Sequence, residues 1–302
     1  MRRMPAVAAL VTLAGALALG GCAPSSSEAP EIVVTTNILG DVVENLVGDE
    51  AEVITLMKRN ADPHSFEVSA QEAATLGDAE LVVSNGLGLE EGLQQHLDRA
   101  AADGARMLAA GDAIDVLAYR DADGAPDPHF WTDPQRMVQV VAALEGEIAT
   151  IPGIDAEAIR RHADAYVGEL QRLDEEMTAA FAEIDADRRA LVTNHHVFGY
   201  LADRFDFRVV GAVIPGGTTL AAPSAADLRD LATAIEDAGV STIFAESSQP
   251  DRLVQVLADE VGIDVDVDVL FTESLTEPGG GADTYLTMMR ANTERITQGL
   301  KD

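Results

Sequence analysis

Six histidines punctuate the chain, and their surroundings divide them into two groups. His96 lies in Leu-Gln-Gln-His-Leu-Asp and His162 in Ile-Arg-Arg-His-Ala-Asp, polar helical stretches whose imidazoles read as solvated faces. The others sit beside proline, aspartate and aromatic residues. His64 occurs in Asp62-Pro63-His64-Ser65-Phe66-Glu67, and His129 in Asp127-Pro128-His129-Phe130-Trp131-Thr132-Asp133-Pro134. His195 follows an apolar run in Asn194-His195-His196-Val197-Phe198-Gly199-Tyr200. Neutral imidazole is a good ligand for zinc and other late first-row metals, so three converging imidazoles would make a metal site. Taken singly, each Asp-Pro-His is also an ordinary turn, because aspartate caps it and proline fixes φ. Recurrence at comparable places in the chain is what argues for chemistry.

Those places are set by an alternation of short β-branched runs and longer helical patterns. Glu31–Leu39, Ala51–Met57 and Glu80–Ser84 read as buried strands, with helices over Ser69–Ala79 and Leu89–Ala101. Later, Leu191–Thr193, Phe207–Ile214, Ser241–Ala245 and Asp264–Leu270 read as strands. Helices are expected over Val197–Arg204, Ala225–Ala238, Asp251–Val261 and Thr284–Leu300. Strand–helix alternation implies parallel sheets covered by helices, with ligands beyond the carboxyl ends of the strands. Between the two halves, apolar residues recur every three or four positions from Asp155 to Asp185. This predicts one amphipathic helix about 45 Å long, enough to run from one domain to the other. The expected organisation is α/β: a domain over 31–154, a linker helix over 155–185 and a second domain over 186–302. Glu246, at the end of a strand, is a candidate outer group behind a ligand and equally a surface acid. His196, beside His195, is a candidate hydrogen-bond partner or an exposed neighbour.

The 302 residues carry 52 acidic and 20 basic side chains, a formal net charge of −32, with lysine only at Lys58 and Lys301. Such a field repels phosphate backbones and excludes nucleic acid as a partner, while it attracts cations diffusely. At the N-terminus, Arg2 and Arg3 precede an apolar run from Ala6 to Leu19 and then Leu19-Gly20-Gly21-Cys22. The run is short and rich in alanine and glycine, which reads as a signal peptide over 1–21 rather than a membrane span. Leu-Gly-Gly-Cys resembles a bacterial lipobox, making Cys22 the lipidation site and residues 22–30 a tether. Cys22 is the single cysteine, so no internal disulfide exists. The expected location is therefore the outer face of a bacterial cytoplasmic membrane, held there by lipid alone.

With these residues in order, the chain resembles the cluster A-I solute-binding proteins of ABC importers, which take up zinc or manganese. The resemblance rests on Asp62-Pro63-His64 with Phe66-Glu67, Asn85-Gly86-Leu87-Gly88-Leu89-Glu90 and His129 with Trp131 and Asp133-Pro134. It continues through His195 with Phe198-Gly199-Tyr200 and Asp283-Thr284-Tyr285-Leu286 with Met288-Met289-Arg290 and Asn292. It implies two α/β domains bridged by one helix, with the metal in the cleft between them. It also implies four ligands, His64, His129, His195 and Asp283, and an ABC permease as partner. Manganese members carry a carboxylate at the third position, so His195 points to Zn2+, with Mn2+ as the alternative. The chain departs from many zinc members in the segment Tyr119–Pro126, which is short and acidic and holds no histidine. A monomer is expected, and a metallochaperone is a candidate source of metal. Two other functions compete with this one. A zinc hydrolase needs an open coordination position and a base, but neither His-Glu-x-x-His nor Gly-x-Ser-x-Gly occurs. An adhesin-like surface lipoprotein is compatible with metal capture and has no motif of its own.

Overall fold

The computed structural model describes residues 29–119, 124–214, 216–240, 242–248, 254–255 and 266–301. The signal peptide, Cys22 and most of the tether lie outside them, as does nearly all of the helix expected over Asp251–Val261. Among the described residues, no helix is long and apolar enough to cross a membrane.

Two four-stranded parallel sheets form the frame. The first is ordered β2-β1-β3-β4, from β1 (Glu31–Val34), β2 (Glu52–Thr55), β3 (Leu81–Ser84) and β4 (Met107–Ala109). The second, ordered β6-β5-β7-β8, uses β5 (Ala190–Thr193), β6 (Arg208–Ala212), β7 (Thr242–Glu246) and β8 (Asp266–Leu270). The two orders are the same winding used twice. In each sheet the chain adds one strand on one side of the first and then crosses to the other. That crossing opens a crevice at the strand carboxyl ends, the usual ligand position in such sheets.

The first strand ends sooner than its composition predicts. Ile38 and Leu39 belong not to β1 but to helix α1 (Asn37–Val47), which buries Ile38, Leu39, Val42, Val43 and Leu46. The β-branched run and the helix's apolar stripe are continuous in sequence, and Thr36 makes no side-chain cap to mark the boundary. Gly40 permits the packing, because a Cβ there would lie 2.3 Å from Thr55 Oγ1. Helix α2 (Ala70–Asp78) starts on a capping box between Ser69 and Glu72, and α3 is Gln94–Ala102. Helix α4 (Pro134–Ile148) starts on the Asp133 cap with proline in its first turn.

The linking helix α5 runs from Ala156 to Phe181, 26 residues, with Asp155 capping it through Glu157 N. Its buried stripe is Ile159, Ala163, Tyr166, Leu170, Leu173, Met177 and Phe181, a repeat of three and four. That stripe packs against α1, α4 and the C-terminal helix α8 (Tyr285–Lys301), and one apolar core runs through both halves. The second half also carries α6 (Gly199–Phe205) and α7 (Ala225–Ala238), the latter on a Ser224–Asp227 capping box. Smaller apolar clusters fill the outer face of each sheet, around Val82 and Leu93 in the first and Ile235 and Ile243 in the second.

Candidate metal centre

The two Asp-Pro-His segments are the same local structure built twice. In the first, Asp62 Oδ1 accepts from the backbone N–H of His64 at 2.9 Å; in the second, Asp127 Oδ1 accepts from that of His129 at 2.9 Å. The aspartate side chain thus closes a turn on the residue two positions on, and proline stiffens it. The first turn follows β2 and the second follows β4, the two outer strands of the first sheet. His195 leaves the end of β5, its carbonyl tied to Thr193 Oγ1 at 2.7 Å.

The three imidazoles meet in the cleft, fully buried, together with Glu273. Glu273 Oε1 lies 3.0 Å from His64 Nε2, 3.2 Å from His129 Nε2 and 3.3 Å from His195 Nε2. His129 Nε2 is 3.4 Å from His64 Nε2 and 3.3 Å from His195 Nε2. A tetrahedral zinc with bonds of about 2.0–2.1 Å separates its ligand atoms by about 3.3–3.4 Å. The cavity therefore has the size of such an ion. Glu273 Oε2 is buried without a hydrogen-bond partner, which leaves a second carboxylate oxygen for the same cation.

The far nitrogens explain why the Nε2 lone pairs point inward. His129 Nδ1 meets Asp127 Oδ1 at 2.8 Å and Tyr119 Oη at 3.0 Å. His195 Nδ1 meets Glu246 Oε1, and His64 Nδ1 faces Glu91 Oε1 at 3.8 Å. At His129 and His195 the carboxylate behind Nδ1 holds the proton there and turns Nε2 toward the centre of the cluster, whereas His64 Nδ1 is buried without a hydrogen-bond partner. Behind His129 the support goes deeper. Buried Glu90 accepts from Thr35 Oγ1 and Asn85 N at 2.7 and 2.6 Å, and Asn85 Nδ2 donates to Pro128 O at 3.0 Å. Trp131 packs edge-on to His129, ring centroids 5.2 Å apart.

The electrostatics are those of a hole built for a cation. Burial is the largest influence on His129 and His195 and pushes both pKa values down. The carboxylates outweigh it: Asp127 and Glu273 raise His129, and Glu246 and Glu273 raise His195 well above the ordinary imidazole value. Burial likewise pushes Glu273 up, but the facing imidazoles hold it well below the usual carboxylate range. Asp127, Glu246 and Glu273 around His129 and His195 call for positive charge, whether protons or a metal ion.

Of the four ligands expected from the sequence, three come together. The carboxylate that joins His64, His129 and His195 is Glu273, whereas Asp283 stays outside the group. Asp283 is half-buried just before α8; its Oδ1 accepts from Thr287 Oγ1 at 3.2 Å and its carbonyl from Arg59 Nη1 at 2.8 Å. Its carboxylate is thus engaged with the first turn of α8. Glu273 carried a usable signal, since it stands three residues past the end of β8, where such sheets place ligands. Glu246 ends β7 and stands against His195, and His196 is half-buried beside the Tyr119 ring, centroids 6.3 Å apart. His96 is exposed, and His162 Nδ1 bonds Leu46 O at 3.0 Å, both outside the cluster.

The chain is similar to known proteins over nearly its whole length. Residues 32–299 match the family described as ZnuA, the periplasmic component A of a zinc-uptake complex. The chain is 31% identical to the zinc-binding protein TroA of Treponema pallidum, over 97% of this chain and 96% of that protein. It is 26% identical to the manganese ABC transporter substrate-binding lipoprotein PsaA of Streptococcus pneumoniae, over 99% of each. It is 25% identical to the manganese-binding lipoprotein MntA of Halalkalibacterium halodurans, over 94% of this chain and 95% of that protein. Among solved structures, periplasmic zinc-binding TroA from Treponema pallidum superposes with a TM-score of 0.85 at 28% identity, covering 91% of this chain and all of that one.

Proposed function

The chain belongs to the ZnuA family of metal-uptake components, and from that membership we propose that its buried cluster seats zinc for delivery to an importer. It is an extracytoplasmic metal-binding, substrate-binding protein of an ABC transporter, a transport component rather than an enzyme. Its partners are the permease and ATPase of that system. The cargo is a divalent transition metal, held by His64, His129, His195 and Glu273. The observation that carries this is the set of five separations of 3.0–3.4 Å among four buried donor atoms, with His129 and His195 each bonded to a carboxylate on the other side of the ring. Four protein donors filling a tetrahedron leave no position for a reacting water, which suits capture and not hydrolysis. All four donors come from one chain, so a monomer suffices.

Zinc is favoured because three of the four donors are imidazoles, a set that suits zinc better than manganese. Manganese is the second reading. It is supported by the names of PsaA and MntA and by the unpaired Glu273 Oε2, which would add a hard oxygen donor. Isothermal titration with competition between the two ions decides the matter: zinc should win by orders of magnitude, and tighter manganese would reverse the assignment. Glu273→Gln should weaken zinc binding more than about 10-fold, because loss of a ligand exceeds the usual effect of losing an outer partner. Asp283→Ala should leave it unchanged. Equal losses from the two would point to diffuse binding by acidic groups.

Several relatives are named lipoproteins. We propose the same anchoring for this chain through Cys22 in Leu19-Gly20-Gly21-Cys22, with residues 22–30 as tether. Mass spectrometry of the membrane-extracted protein should find Cys22 as an acylated first residue; an unmodified thiol there would end that reading.

A further inference from the structure

Glu273 lies beyond the last strand of the second sheet, yet the loop that carries it is bonded mainly to the first half of the molecule. Asn37 Nδ2 donates to Ser274 Oγ at 2.8 Å, and Asn37 Oδ1 accepts from Leu275 N at 2.8 Å. Asn60 N donates to Leu275 O at 2.9 Å, and Arg59 Nη1 to the carbonyls of Thr276 and Asp283 at 2.7 and 2.8 Å. Trp131 Nε1 donates to Thr272 O at 2.8 Å, immediately before Glu273. Further on, Tyr285 N donates to Asp41 Oδ2 at 2.9 Å and Tyr285 Oη to Trp131 O at 2.7 Å. Most of these bonds are buried, where an abandoned partner is costly. Toward its own sheet the segment is held through Phe271, whose N and O both bond Asn292 of α8, and through Ser247 N on Leu270 O. The change of allegiance therefore falls between Phe271 and Thr272.

His195 is mounted in the opposite way. Its carbonyl is tied to Thr193, its Nδ1 to Glu246 of β7, and Ile214 N closes on Asn194 O, all within the second half. That half reaches the first around the cleft by a few bonds at the rim. Tyr200 Oη bonds Asp127 O and Leu117 N, Thr219 Oγ1 bonds Asp62 Oδ2, and Tyr119 Oη meets Gly217 O at 3.4 Å.

We infer that Glu273 travels with the first half, so that His64, His129 and Glu273 form a standing three-donor seat and His195 is the donor added on closure. This rests on the reading of the cluster as a metal seat. Asn37 and Arg59 are then positioning residues: they touch no metal and act by fixing the Glu273 loop. An arriving hydrated cation would exchange waters for two imidazoles and a carboxylate before the second half swings in. Release would begin with His195, the donor whose loss leaves the other three undisturbed. Hinge closure of this kind moves the halves as bodies and concentrates the change at a few residues, here the Phe271–Thr272 link and the rim contacts.

The test measures which half Glu273 follows. Because Cys22 is the single cysteine, the full chain with Cys22→Ser has no thiol and accepts nitroxide labels at chosen sites. One label goes on Asp98→Cys in α3, paired either with Asp203→Cys in α6 or with Glu277→Cys beside Glu273, all three positions exposed. Pulsed electron-spin distances are taken with zinc and after its removal. The expected result is a longer Asp98–Asp203 distance without zinc and an unchanged Asp98–Glu277 distance. A Glu277 label that moves with Asp203 overturns the inference, and so does the absence of any change in either pair. In Asn37→Ala and Arg59→Gln backgrounds the Glu277 distances should broaden while Asp98–Asp203 still responds to zinc. Zinc stoichiometry on the same labelled chains is read separately, so failure of the metal seat itself is distinguished from failure of the proposed division.

Discussion

In the buried cluster, His129 and His195 are shaped by the carboxylates behind them as much as by their own rings. Asp127 and Glu246 stand on the Nδ1 side of His129 and His195, and Glu273 on the Nε2 side, so these two metal-free imidazoles attract protons. Raised imidazole pKa values mean that protons compete with the metal from above the ordinary histidine value of about 6.5 downward. Affinity for zinc should therefore fall steeply between about pH 7 and 5. The sign for stability is the reverse in the metal-free protein. A raised folded-state pKa contributes stability that is complete below about 6.5 and is lost as pH rises through the folded values of His129 and His195. Zinc binding grows over the same interval. The difference in Tm between zinc-loaded and zinc-free protein should thus widen as pH rises from about 5 to 8, since binding stabilises by mass action. Scanning fluorimetry across that range checks it, and a difference that is flat or shrinks would mean the imidazoles are not the ligands.

At the scale of elements, the long helix α5 shows how far periodicity alone carries. Its stripe from Ile159 to Phe181 is legible because a 3.6-residue repeat over 26 residues outweighs local noise, and Asp155 marks its start. The boundary of β1 was not legible, since the apolar run through Ile38 and Leu39 serves a strand and then a helix without a cap between them. The three histidines were legible because Asp-Pro-His and a strand end place them locally. Glu273 offered only its place just past a strand end, because what seats it is the Asn37–Ser274 and Trp131–Thr272 bonds between residues more than a hundred positions apart, which no local pattern encodes. The helix also joins the two cores, and that makes a prediction. Leu173 is fully buried at the junction with α8, so Leu173→Ala should cost about 2–5 kcal/mol of stability through lost burial and the cavity left behind. Because no ligand is on α5, zinc stoichiometry should remain one. Denaturant unfolding and metal analysis of the same variant test both halves of that statement, and loss of zinc without loss of stability would contradict it.

The whole molecule contributes a field. A net charge of −32 surrounds a site that is itself fully buried, so the two should respond differently to salt. Long-range attraction raises the encounter rate of a divalent cation and is screened over about 30 Å at 0.01 M ionic strength but about 3 Å at 1 M. The bonds from donors to metal inside the cleft exclude water and are screened far less. Raising sodium chloride should therefore slow zinc association several-fold and leave dissociation nearly unchanged, so that affinity weakens only through the association rate. The protein supplies its own probe. Trp131 is the single tryptophan, its ring lies edge-on to His129 and its Nε1 bonds Thr272 beside Glu273, so its emission should report occupancy of the site. Stopped-flow mixing with zinc at low and high salt, followed by displacement with excess chelator, gives both rates from that one signal. If dissociation rather than association carried the salt dependence, the metal would be held by exposed carboxylates on the acidic surface and not by the buried cluster.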